Sequence, residues 1–258
     1  MKNTLSFFTR LAIFAILSGG LLSSPAHAVN NFTITNYTVQ MELDRDERER
    51  SILRTTETIT ADFQHRSQNR GIERAFIKEY KGHPTSFTLK SVTDERGVTH
   101  PHHWSGDTLR IGDSDKYVSG VKTYVITYTQ RDTTAHYEDT AKDEFYWNAI
   151  GTDWRVPIQD ATVELRVAPA LRESIHTELQ CYSGPRTSTT RCDVEGENGA
   201  YVVSVESLNP REGVTVALGF SPGTFAPYEK SWWEWAVIAW ITLTAITSVI
   251  AVVVIIWL

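Results

Sequence analysis

Apolar and polar positions alternate with a period of two through most of the chain. Tyr37, Val39, Met41 and Leu43 alternate with Thr38, Gln40 and Glu42, and Leu53, Thr55, Ile59, Ala61 and Phe63 share one parity. Tyr124, Ile126 and Tyr128 oppose Val125 and Thr127. Val163, Leu165 and Val167 alternate with Glu164 and Arg166, and Val214, Val216 and Leu218 repeat the pattern near the end. Each run has the spacing of a strand with one buried face, built from the β-branched and aromatic residues that strands favour. Turn signals separate the runs: Asp94-Glu95-Arg96-Gly97, Gly112-Asp113, Glu197-Asn198-Gly199 and Asn209-Pro210. No long stretch before residue 230 carries a helical stripe. The pattern predicts an all-β, Ig-like β-sandwich over residues 29–229, as one body or as two subdomains divided near 156–160.

The two ends follow a different rule. Residues 1–28 contain Lys2 and Arg10, an apolar stretch from Leu11 to Leu22, and Ala26-His27-Ala28. That succession predicts a cleaved secretory signal, with an apolar stretch too short to span a membrane. Residues 236–258 hold no charge, no Pro and no Gly. As a helix they would extend ~35 Å, enough to cross a bilayer. Trp232, Trp233, Trp235 and Trp240 crowd one end and Trp257 marks the other, as aromatic residues do at membrane interfaces. A cleaved signal would leave the β domain extracytoplasmic, at a cell membrane crossed once. No Lys or Arg follows the helix, against the positive-inside rule, so a further cytoplasmic segment is expected beyond Leu258. Thr244, Thr247, Ser248 and Ala251 share a helix face that suits either helix–helix self-association or bonding to the helix's own carbonyls.

Charge narrows the partners. All 31 acidic residues lie between the two apolar ends, with every base except Lys2 and Arg10. An acidic outer domain argues against nucleic acid and against electrostatic attachment to anionic lipid. The alternating charges of Asp44 to Arg50 read as a solvated hairpin tip. Cys181 and Cys192 are the only cysteines. In an oxidising compartment they would form a structural disulfide across a short loop; the Cys-x-x-Cys spacing of a redox pair is lacking.

Two groups of residues could carry chemistry. Asp143, Glu144, Trp147, Asn148 and Trp154 combine carboxylates, an amide and aromatic rings, which could line a sugar or peptide groove. Asp143 and Glu144 could alternatively act as the acid and base of a glycan or peptide hydrolase. Core packing by Trp147 and Trp154 explains the same residues without a ligand. His100, His102 and His103 could begin a metal site, but they form an incomplete ligand set inside a Pro- and Gly-flanked loop. No cofactor motif is recognised.

Several stretches are more particular. Glu57-Thr58-Ile59-Thr60 lies on the second strand, and Gly71-Ile72-Glu73-Arg74 follows it. Leu109-Arg110-Ile111-Gly112-Asp113 precedes Gly120-Val121-Lys122-Thr123-Tyr124. Next come Asp143-Glu144-Phe145-Tyr146-Trp147-Asn148 and Gly151-Thr152-Asp153-Trp154, with Leu208-Asn209-Pro210-Arg211-Glu212-Gly213 near the end. Over roughly residues 33–225 this succession resembles the bacterial membrane proteins grouped as domain of unknown function 2207. The resemblance implies a signal-bearing protein with an extracytoplasmic β domain followed by membrane helices. It implies no catalytic residue, because that family has no established activity. The expected function is therefore non-enzymatic binding or assembly at the cell envelope. The bilayer and other membrane or envelope proteins are the expected partners, and the short tether over 222–230 keeps the domain close to the membrane.

Overall fold

The computed structural model describes residues 31–138 and 141–257. The expected signal over 1–28 lies outside them. The body is all-β and is followed by one apolar helix, as the alternation predicts. The largest sheet has seven strands in the order β14-β15-β12-β1-β2-β9-β6. These are β1 (Thr33–Arg45), β2 (Ser51–Phe63), β6 (Thr88–Thr93), β9 (Gly120–Arg131), β12 (Ala161–Val167), β14 (Val194–Glu197) and β15 (Ala200–Val205). A second sheet runs β10-β11-β16-β13, formed by β10 (Ala135–Tyr137), β11 (Lys142–Ile150), β13 (Gln180–Pro185) and β16 (Glu212–Phe220). Three short strands, β3 (Ile72–Ala75), β7 (His102–Ser105) and β8 (Thr108–Ile111), make a third sheet, ordered β3-β8-β7. β4 (Glu79–Tyr80) and β5 (His83–Pro84) form a small hairpin.

The large sheet departs from the Ig-like expectation. β1 pairs with β2 antiparallel on one side and with β12 parallel on the other. Greek-key sandwiches of the immunoglobulin type are built from antiparallel sheets in a different order. β12 lies far along the chain and reaches β1 by a crossover rather than a hairpin, so a parallel pairing is open to it. Residues 156–160 are bonded to β1. The Ile34 amide donates to the Pro157 carbonyl, the Gln159 amide to Ile34 and the Tyr37 amide to Asp160. Val156 and Ile158 are buried in the same core cluster as residues of both larger sheets.

That core follows from parity. On β2, Leu53, Ile59, Ala61 and Phe63 are buried while Arg54, Thr56, Thr58 and Thr60 face outward. The outward threonines of adjacent strands meet in cross-strand pairs, Thr56 with Thr127 and Thr60 with Thr123. Gly71 and Gly112 hold β3 against β8. Both have positive φ, and a Cβ on either would sit within 2 Å of a backbone oxygen of the other segment, 1.8 Å from Ile111 O or 1.9 Å from Arg70 O. Only glycine admits that approach.

The helix, α1, spans Trp232–Trp257 and begins four residues before the uncharged stretch. Ser231 caps it. Its hydroxyl accepts from the Glu234 amide, and Glu234 accepts in return from the Ser231 amide at 2.8 Å, the reciprocal capping box. The stretch Trp232–Ile250 is long and apolar enough to cross a membrane. Thr244, Thr247 and Ser248 donate to the helix's own carbonyls at Ile241 and Thr244, so the backbone already satisfies those hydroxyls.

The segment between body and helix is bonded to the body. The Phe225 amide donates to Asp143 Oδ2 at 3.0 Å, and the Ala226 amide donates to the Glu49 carbonyl at 2.9 Å. Arg45 donates to the Thr224 carbonyl at 3.0 Å. Tyr228 stacks on His83 with centroids 4.5 Å apart and donates to Glu234 at 2.6 Å. The charged run from Asp44 to Arg50 forms the expected hairpin tip, and its Arg45 and Glu49 hold this segment. Asp46 caps the tip, accepting from the Arg48 and Arg50 amides and pairing with Arg131.

Candidate binding cleft

β11 decides where the candidate residues go, because successive strand side chains point to opposite faces. Asp143, Phe145 and Trp147 face the core, while Tyr146 and Asn148 are exposed on the other face. Asp143 is only 2% exposed. His136 Nδ1 donates to its Oδ1 at 2.7 Å, and its Oδ2 holds the Phe225 amide. Glu144, the next residue on the strand, points the other way. The two carboxylates weighed as a hydrolase pair therefore share no cleft.

Trp147 and Trp154 are 4% and 5% exposed. Trp147 packs against Tyr80 and Phe145, and Trp154 meets Tyr37 edge-on at 5.7 Å. Both rings are spent on the core, although Trp154 also lines a smaller cleft and Trp147 an open one. Asn148 lines the same cleft and accepts from Thr215 at 2.7 Å.

The cleft has a volume of about 480 Å³, within the range of small-ligand sites. One bank is the run from Arg74 to Ile77 at the end of β3. The other is Tyr146 to Thr152, and Tyr182 to Ser188 with Gly213 and Thr215 of β16 complete the lining. Aromatic groups (Phe76, Tyr128, Tyr146) alternate with neutral hydrogen-bonding groups (Gln130, Asn148, Thr152). Asp153 is the single carboxylate among the lining residues, which include no histidine and no cysteine.

Behind the Arg74 bank lies a charged network that the alternation pattern passes over. Glu57 sits on the core face of β2 and is 0% exposed. Its carboxylate accepts four hydrogen bonds: from Tyr37 at 2.6 Å, Tyr128 at 2.7 Å, Arg74 Nε at 2.8 Å and Arg74 Nη2 at 2.8 Å. Arg74 also donates to the Ala75 carbonyl, and its guanidinium lies 4.7 Å from the Phe76 ring centre. Burial disfavours the charged guanidinium, yet the Glu57 carboxylate prevails and holds Arg74 protonated well above its ordinary value. Burial raises the Tyr37 and Tyr128 hydroxyls well above theirs, and the adjacent Glu57 charge adds to the shift. All three donors thus stay protonated. The network fixes the cleft wall.

Parity was the available signal for Glu57, since it shares the core-facing register of Leu53, Thr55 and Ile59. Glu73, beside Arg74, faces outward and pairs with Arg110 at 2.9 Å.

The histidines lie elsewhere. His100 Nε2 is 3.3 Å from the Thr123 carbonyl, and its ring packs 4.9 Å from that of Tyr124. His102 and His103 are exposed on β7, and His102 Nδ1 meets the His100 carbonyl at 2.9 Å. Among the described residues, no three His, Cys, Asp or Glu converge as a metal site. Cys181 and Cys192 form a disulfide that straps the outer edge of β13, with Cα atoms 5.2 Å apart.

Comparison with known proteins locates the chain. The family described as "Predicted membrane protein (DUF2207) N-terminal domain" matches residues 33–220. The chain belongs to this family. The DUF2207 match takes in both larger sheets and both banks of the cleft, so Glu57, Arg74 and the β11 edge all lie inside it. No curated protein matches the sequence. Among solved structures, the chain is similar to native leukotriene A4 hydrolase from Saccharomyces cerevisiae, at 10% identity and a TM-score of 0.46, over 73% of this chain and 29% of that one. It is also similar to an M1 zinc metallopeptidase from Deinococcus radiodurans, at 9% identity and a TM-score of 0.41, over 72% of this chain and 42% of that one. The DUF2207 chain spans less than half the length of either protein. Likenesses this distant carry no inference about its activity.

Proposed function

We propose that this membrane protein is a non-enzymatic binding or assembly module, anchored by α1 and presenting its β domain on the extracytoplasmic side of a bacterial cell envelope. One observation carries the reading: an open cleft walled by a fully satisfied polar network and lined by aromatic and neutral hydrogen-bonding groups. Such a lining suits holding a ligand. The paired-carboxylate chemistry weighed above would need a second carboxylate beside Asp153. The disulfide suits an oxidising compartment and so the outer side. The bonded linker favours partners in the same membrane, because it keeps the domain near its anchor.

The test is photo-crosslinking in native membranes from a reactive residue placed at Tyr146, in the cleft. The expected result is one reproducible crosslinked partner, captured at least fivefold less from a control position on the outward face of β2 at Thr58. Equal labelling from both positions would refute the reading.

A further inference from the structure

The two banks of the cleft have a property in common. β11 pairs with β10 only from Lys142 to Glu144 and with β16 along its other side. From Phe145 to Ile150 it therefore has a strand neighbour on one side only; the Tyr80 hydroxyl is set against the Tyr146 backbone, and the stretch from Tyr146 to Ile150 borders the cleft. The facing bank continues β3, which pairs only with β8. The cleft is thus bordered by two strand edges that no other described strand covers; on the β3 side the Ala75 and Ile77 carbonyls are already taken by Arg74, Gln130 and Thr85, so the open row belongs to β11. Exposed edges of this kind offer rows of backbone donors and acceptors and are the usual template for strand addition.

We infer that the cleft takes an extended polypeptide segment of a partner protein, which adds as a strand along the free edge of β11. The inference rests on the binding reading above and names its ligand class. Beyond the Tyr80 contact, the four residues from Trp147 to Ile150 correspond to about 13 Å of strand, enough for a short added strand. The charges of the lining agree. Glu57 neutralises Arg74, and Arg186 and Asp153 balance each other. The cleft therefore offers no net charge to select a phosphate or an acidic polymer, and it matches an uncharged peptide backbone. Gly151 keeps the cleft clear. Its φ is ordinary, and a Cβ there would meet only Arg74 Nη1 at 3.7 Å and Asp153 Oδ2 at 4.0 Å. A larger side chain at this position would enter the cleft without straining the backbone.

The experiment uses the full chain in lipid nanodiscs and a randomised pool of terminally blocked octapeptides. The wild-type protein is expected to enrich a subset at least tenfold over Gly151→Leu, and the enriched peptides to slow amide exchange over residues 147–150 at least tenfold. Methylating alternate backbone nitrogens of an enriched peptide should weaken binding at least tenfold, because strand addition needs those N–H groups. Thr152→Trp, on the rim, provides a second block should Gly151→Leu fold poorly. No enrichment, or enrichment indifferent to N-methylation, would overturn the inference. Retention of chitooligosaccharides alone would overturn it in favour of a glycan. Crosslinked capture from Tyr146 would survive any of these results, so failure of the peptide assignment is distinguishable from failure of the binding reading.

Discussion

Replacing Glu57 by Gln tests whether the buried network sets the stability of the cleft wall. An amide keeps the shape of the carboxylate but presents one acceptor oxygen and an N–H₂ donor. Each Glu57 oxygen now accepts from one tyrosine hydroxyl and one guanidinium N–H. After the change, one such pair of donors faces another donor, and the buried Arg74 loses its counter-charge. Removing one member of a buried ion pair costs about 3–5 kcal/mol. Tyr37→Phe or Tyr128→Phe removes a single bond to a charged acceptor and should cost about 1.5–3 kcal/mol. Urea unfolding of the full chain in detergent micelles, followed by tryptophan fluorescence, gives each value. The double variant Glu57→Gln, Arg74→Met should lose less than the sum of its single changes by at least about 1 kcal/mol, since it removes the stranded charge. A Glu57→Gln cost below about 1 kcal/mol, or strict additivity in the double variant, would refute the reasoning.

Other perturbations follow from the same geometry. Asp143→Ala frees the Phe225 amide and should weaken the linker's attachment by about 1–3 kcal/mol, read as faster proteolysis between residues 221 and 231. Asp132 is buried with neither carboxyl oxygen in a hydrogen bond, and burial raises its pKa although Arg50 and His83 partly offset the shift. Its folded pKa exceeds its unfolded one, so stability falls as pH rises from about 4 towards the folded value. Asp132→Asn, which tolerates the positive φ of 56° at this position, should flatten Tm against pH in that window. Cys181→Ser with Cys192→Ser opens a short loop and should cost about 2–3 kcal/mol by urea unfolding. Gly71→Ala forces a side chain onto the Ile111 carbonyl and should cost roughly 3 kcal/mol or prevent folding, seen as lost expression.

Period-two alternation was enough to read the strands from Thr33 to Phe63, and the uncharged run near Leu258 was enough to read the helix. Sheet order was not legible. The parallel pairing of β1 with β12 depends on contacts 124 residues apart, such as Thr38 opposite Thr162, and no local pattern encodes them. The site was only partly legible. Trp147 and Asn148 were singled out and do border the cleft, but adjacency in sequence suggested that Asp143 and Glu144 cooperate, and strand geometry turns them apart. Glu57 was hidden because a charged residue at a core-facing position reads as an interruption until Arg74, Tyr37 and Tyr128 are seen to converge on it.

The bonded linker has a consequence for encounter. A free chain from Ser221 to Ser231 would wander over roughly 17 Å, whereas the four residues left between Ala226 and the helix cap allow at most roughly 11 Å, and Tyr228, stacked on His83, holds them closer still. The volume searched by the cleft shrinks at least about threefold, and its effective concentration towards a neighbour at the right height rises in proportion. A weak edge-to-edge contact that would be negligible for a dissolved domain can then persist between two proteins sharing one bilayer.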